Sequence, residues 1–119
     1  MKHLLVSLLL LTPALLPAQP KAVEGVLVDD KGMSLYVWDN DLTQPGKSLC
    51  TGACTLSWPP MLAAADARPT GDFTLLEREG GARQWVYKGR PLHRWINDHK
   101  PGDRTGDGFR GGVWHLARP

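Results

Sequence analysis

Slid along itself by 57 positions, this chain meets its own pattern again. Lys31-Gly32 falls on Lys88-Gly89, Leu35 on Leu92, Trp38 on Trp95, Asn40 on Asn97 and Asp41 on Asp98. With a one-residue deletion, Pro45-Gly46 then falls on Pro101-Gly102 and Trp58 on Trp114. Whatever the chain folds into must therefore hold two like units. Two copies are too few for a solenoid, which needs about three or more stacked repeats to bury a continuous core. The expectation is a duplicated supersecondary unit packed about an approximate two-fold axis, with copies over about 24–61 and 80–117.

Each copy reads as a hairpin. "GVLVDDKGMSLYVW" is an apolar run, a polar turn over residues 29–32 and a second apolar run; "RQWVYKGRPLHRW" repeats the plan with Lys88-Gly89 at its turn. Side chains on a strand alternate between its faces, so Tyr36 and Trp38 share one face and His93 and Trp95 its counterpart. Leu35 and Val37 take the other face, as do Leu92, Arg94 and Ile96 in the second copy. Further strands are expected over residues 73–78 and 113–117, with a tight turn at Gly80-Gly81. Single helical turns are expected within 48–56 and 62–67. Thirteen glycines and ten prolines, spread between short apolar runs, fit strands joined by long loops. The fold class is thus all-β: a small antiparallel sandwich or a partly open barrel built from two pseudo-symmetric hairpin repeats.

The N-terminus bears on compartment. Met1-Lys2-His3 leads into an apolar run over 4–16, followed by Pro17-Ala18-Gln19-Pro20. That is the layout of a secretory leader and is short for a bilayer span. Residues 1–18 are therefore expected to be a signal peptide, and 19–119 a single β domain without a transmembrane segment. Losing Lys2 takes the basic residues from 14 to 13 against 12 acidic ones, a net charge of +1. So nearly neutral a chain is a poor partner for nucleic acid or anionic membrane.

An exported chain works in the periplasm or outside the cell, where thiols oxidise. Cys50 and Cys54 are the two cysteines, with three residues between them centred on Gly52, and a structural disulfide is expected. The alternative is a redox-active pair, since short rings can be strained and reducible. The spacing excludes the Cys-x-x-Cys-His of c-type haem attachment. His93, His115 and Met61 are candidate ligands for a soft copper site, set against the plainer reading of hydrogen-bonded histidines and a core methionine. Asp41 and Asp98 each follow a motif Trp by three residues, where the strand leaves its sheet. They would either accept backbone N–H groups of the following loop or converge as a carboxylate pair. Trp38, Trp58, Trp95 and Trp114 pair through the repeat, with Trp85 opposite Val28; their two readings are a core and a stacking surface for a ring-shaped ligand. Asp103 and Asp107 lie in a Gly-Asp loop that matches no EF-hand spacing.

The run Tyr36-x-Trp38-x-x-Asp41, then Cys50-x-Gly52-x-Cys54 and Trp58-Pro59-Pro60, resembles the bacterial secreted-repeat family, often described as predicted lipoproteins with a Tyr-x-aromatic-x-x-Asp motif. "GRPLHRWINDHKPGDRTGDGFRGGVWHLARP" is similar to that family's second copy, and the resemblance spans roughly residues 24–119. Two departures stand out: His93 replaces the motif tyrosine of the second copy, and the lipid-attachment cysteine is missing. The resemblance implies an envelope or secreted location and carries no settled activity.

No nucleophile elbow, phosphate loop or zinc-protease helix occurs, so an enzyme is disfavoured and no catalytic residue is assigned. The leading expectation is an exported, non-catalytic binding module for an envelope protein or small ligand, with no cofactor. The alternative is an extracytoplasmic redox or copper accessory protein using the Cys pair and histidine.

Overall fold

The computed structural model describes residues 18–119, so the expected leader falls, Ala18 apart, outside the described residues. Seven short strands carry the fold: β1 (Lys21–Val23), β2 (Val26–Val28), β3 (Tyr36–Trp38), β4 (Phe73–Glu77), β5 (Arg83–Tyr87), β6 (Arg90–Pro91) and β7 (Trp114–Leu116). Two single turns assigned as α-helix, α1 (Cys54–Ser57) and α2 (Phe109–Gly112), precede Trp58 and β7, and short 3-10 turns occupy Asp39–Thr43 and Glu79–Gly81. All strand pairs are antiparallel: β1 with β2, β3 with β7, and β4-β5-β6 as a three-stranded sheet. They do not close into a barrel, and the arrangement is that of a small all-β sandwich. Among the described residues no helix is long and apolar enough to cross a membrane.

The strand alternation sets the layers. Leu35, Val37 and Leu92 enter one apolar cluster with Leu27, Met61, Trp85 and Ala117. Tyr36 and Trp95 enter the other with Val26, Cys50, Trp58, Trp114 and Leu116, and Trp38 packs against it. Each cluster draws on both copies, so the core is shared between them.

The approximate two-fold axis passes between Tyr36 and His93. Tyr36 N–H donates to the His93 carbonyl at 2.8 Å, and His93 N–H donates back to Tyr36 at 3.0 Å. Around that pair the backbone bonds come in duplicate. Leu35 N–H reaches Leu27 O at 3.0 Å, and Leu92 N–H reaches Trp85 O at 3.0 Å. Ala117 N–H reaches Leu35 O at 2.8 Å, and Met61 N–H reaches Leu92 O at 2.9 Å. Asp39 N–H reaches Val113 O and Ile96 N–H reaches Ser57 O, both at 2.9 Å. The last segment of each copy thus bonds to the motif strand of the other.

Two expectations are corrected, and one strand is new. Trp85 is equivalent to Leu27 rather than Val28, because the first turn is one residue longer. There Asp29 Oδ1 accepts both Lys31 N–H and Met33 N–H at 2.9 Å, holding the extra residue in place. Residues 62–67 form no helix: Leu62 is bridged to Gln84, Ala63 N–H donates to Arg83 O at 2.8 Å, and only an isolated turn closes from Ala67 N–H to Ala64 O at 3.0 Å. Strand pairing there outweighs the helix propensity of an alanine run. Finally, β1 is a strand the sequence pattern does not announce. It turns into β2 through Glu24 and Gly25, both at positive φ (49° and 77°), and all three of its residues are exposed.

Candidate functional site

The motif side chains meet across the axis. Tyr36 of the first copy donates its hydroxyl to Asp98 Oδ2 of the second at 2.6 Å, while His93 of the second lies beside Asp41 of the first, Nε2 to Oδ2 3.7 Å. All four are buried. Each carboxylate also holds the loop that follows it. Asp98 Oδ1 accepts Thr105 N–H at 3.0 Å and its hydroxyl at 2.6 Å; Asp41 Oδ1 accepts Leu49 N–H at 2.7 Å. Burial first, and the bond to Asp98 next, push the Tyr36 phenol well above its ordinary value.

The histidine is shorter than a tyrosine, and its surroundings differ accordingly. On the Tyr36 side, the phenol oxygen also accepts Gly106 N–H at 3.1 Å. On the His93 side, Ser48 Oγ stands where that phenol oxygen would be. It accepts Cys50 N–H at 3.2 Å, lies 3.3 Å from Asp41 Oδ2 and is 3.5 Å from His93 Nε2. Trp58 O can only accept, so His93 Nδ1, 3.1 Å away, carries a proton. The amide of Gln84, the counterpart of Val26, faces Nε2 at 3.4 Å. Serine, histidine and carboxylate are therefore neighbours without the order of a catalytic triad: the imidazole is oriented by a carbonyl, and the carboxylate takes the hydroxyl directly.

The tryptophans form a column with the same symmetry. Trp95 stacks on Trp58 (centroids 4.1 Å apart), Trp58 on Trp114 (3.8 Å) and Trp114 on Trp38 (5.2 Å), the last two pairs within 3° of parallel. The axis maps Trp95 onto Trp38 and Trp58 onto Trp114, so the order reads alike from either end. Gly106 makes room for it, since a Cβ there would come within 2.9 Å of Trp58 Cη2 and 3.0 Å of Trp95 Cγ.

A cleft of about 670 Å³ opens over this column, within the size range of small-molecule sites. Its floor is the edges of the four stacked indoles, of which Trp58, Trp95 and Trp114 are otherwise buried in the core, and its two walls are related by the repeat. Ala53, Cys54 and Ser57 on one side correspond to Phe109, Arg110 and Val113 on the other. The first wall is tied by the disulfide between Cys50 and Cys54. Cys50 is fully buried in the core, and the loop-entropy relation assigns so short a ring about 2 kcal/mol. In the second copy Gly106 and Arg110 take the two cysteine positions.

The remaining candidates lie apart. His115 Nε2 is 2.8 Å from Asp39 Oδ2, and Arg90 is 3.1 Å from Asp39 Oδ1. Those bonds, His115 first, hold the Asp39 carboxyl below the ordinary range. Met61 sits in the cluster on the opposite face from His93. Among the described residues no group of three or more His, Cys, Asp or Glu side chains is gathered around a metal position. Asp103 is drawn down to about 2 by Lys100 and by backbone N–H groups, and Asp107 accepts Leu116 N–H. Ser48, Phe109 and Arg110 are the residues sequence reasoning passed over. Carrying the repeat through 50–58 and 106–114 exposes them, since it sets Cys54 against Arg110.

Residues 22–61 and 74–118 match a family described as a secreted repeat of unknown function, one match per copy. No curated protein and no solved structure matches.

Proposed function

We propose, from the premise that this chain belongs to the family of secreted repeats of unknown function, that it is a non-catalytic binding module acting in the periplasm or the medium, with the tryptophan-floored cleft as its ligand site. One observation carries the reading: the cleft lies on the pseudo-two-fold axis, where both copies contribute equivalent indoles to a single surface. Because the indole faces are stacked on one another, the cleft presents their edges, and a ring-bearing ligand would meet them edge-to-face while both partners shed water. The absence of a catalytic role is supported by the motif residues, whose polar atoms engage one another and the loop backbone. Envelope export suits such a module, because a disulfide-tied wall persists there.

Trp85 supplies an internal control for the test. It is buried in the other cluster and takes no part in the cleft. Titrating nitrogen-labelled protein with small bicyclic aromatic compounds should move the indole N–H resonances of Trp38, Trp58, Trp95 and Trp114 while leaving that of Trp85 in place. Uniform movement of all five, or none, would overturn the proposal.

A further inference from the structure

The cleft floor is symmetric but its walls are not. A flat ligand lying on the indole column alone would have two equivalent orientations related by the axis. The walls remove that degeneracy: small or tied residues stand on one side, with Phe109, 38% exposed, and Arg110 on the other. Arg110 is the one formally charged residue lining the cleft. No ion pair among the described residues engages it, and its guanidinium carbon lies 6.0 Å from the Phe109 ring centroid.

The backbone at this position adds a second observation. Arg110 has φ 58° and ψ 51°, and its neighbours Gly108, Gly111 and Gly112 are all at positive φ as well. Glycine takes such a conformation freely, whereas an L side chain is strained there. Within the loop "GFRGG" Arg110 is the non-glycine residue held at positive φ, a conformation it shares elsewhere in the chain with the turn residues Glu24 and Lys88. Folding alone does not ask for an arginine here, because a glycine would relieve the strain.

We propose that the ligand of the cleft is an aromatic molecule bearing a single anionic group, a carboxylate or its equivalent, with its rings packed against the indole edges and its charge at Arg110. This deepens the binding-module reading and rests on it. Guanidinium groups pair with carboxylates in a planar, two-bond geometry, and an aromatic surround strengthens that pairing by excluding water. Asn40 and Ser57 on the opposite side offer neutral hydrogen bonds, so the far edge of the ligand would tolerate a hydroxyl but gain nothing from a second charge.

The test compares three probes of the same ring and different charge: naphthoate, naphthylmethanol and naphthylmethylammonium. Affinities are measured by calorimetry for the wild type, Arg110→Gln and Arg110→Gly, the last chosen because the left-handed backbone favours it. The wild type should prefer naphthoate over the alcohol by about three- to tenfold, less at high ionic strength. Both variants should lose that preference, binding naphthoate and the alcohol alike. Equal binding of naphthoate and alcohol by the wild type, a preference retained in both variants, or tightest binding of the ammonium would overturn the inference and leave the cleft as a binding site. If no probe binds, the binding-module reading falls with it.

Discussion

Replacing Tyr36 by Phe isolates the crossed pairing of the motif. The substitution keeps the ring and its packing, so no cavity opens, and removes one oxygen. That oxygen donates to Asp98 at 2.6 Å and accepts Gly106 N–H at 3.1 Å, both in the buried core. A hydrogen bond to a charged group is worth about 1.5–3 kcal/mol, and a buried N–H left without a partner costs about 1–3 kcal/mol. The two losses overlap, because the loop can relax, so a destabilisation of about 2–4 kcal/mol is expected. That is a large part of the 5–15 kcal/mol typical of a domain. Ser48→Ala removes the equivalent oxygen on the His93 side. Its contacts are longer, 3.2 Å to Cys50 N–H and 3.3 Å to Asp41, Ser48 is half-exposed, and Leu49 N–H still holds Asp41 at 2.7 Å. The expected loss there is about 0.5–1.5 kcal/mol. Urea unfolding with an unchanged slope measures both; with a slope of about 1.5 kcal/mol/M the Tyr36→Phe midpoint falls by about 1–3 M. Should Ser48→Ala cost as much as Tyr36→Phe, the two hydroxyls are not unequal counterparts and the crossed-pair reading is wrong.

Two further outcomes follow from the same packing. Gly106→Ala would drive a methyl into Trp58 and Trp95, and overpacking of that kind costs about 1–3 kcal/mol, read as a lowered thermal midpoint; a midpoint equal to the wild type's would mean the column is not close-packed there. The second concerns alkali. Tyr36 holds its proton in the folded chain at pH values where the unfolded chain ionises, so its stabilisation is complete below the ordinary value of 10.0 and is lost as the pH rises past it. The stability gap between wild type and Tyr36→Phe should therefore narrow above that pH by up to about 1.4 kcal/mol per unit, and a gap constant from neutral pH into strong alkali would contradict the buried phenol.

Much of the fold is local enough to be read from sequence. The alternation of Leu35, Tyr36 and Val37 sends neighbours to opposite clusters, as a two-residue period requires. The spacing of Cys50 and Cys54 suffices for their disulfide because a short turn through Gly52, at φ 57°, brings the Cα atoms to 5.2 Å. What the pattern does not carry is which copy completes which sheet. Residues 114–116 and 60–61 look alike whether they pair within their own copy or with the other, and the decision lies in long-range bonds such as Ala117 N–H to Leu35 O. The Ala-rich stretch after Met61 misleads for a related reason. Its helix propensity is real, yet Ala63 N–H is claimed by Arg83 O, and the Arg83 guanidinium takes the carbonyls of Ala64 and Ala65. The crossed Tyr36–Asp98 contact is likewise invisible to spacing, since 62 residues separate its partners.

The interleaving bears on why the site is asymmetric. In a dimer of two identical units every contact on the two-fold axis occurs twice, and any cation offered to a ligand is offered from both walls. Covalent joining of the copies lifts that restriction while the exchanged strands still demand a common backbone. Each pair of bonds around the axis agrees to within about 0.2 Å, so the frame stays symmetric. The side chains on it do not: histidine stands against tyrosine, glutamine against valine, and arginine against a disulfide-bonded cysteine. Each exchange near the axis is matched by its surroundings, Ser48 and Gln84 filling the room a tyrosine would take beside His93. Arg110 alone has no such internal match, and it stands at the rim of the cleft, where a ligand can supply one.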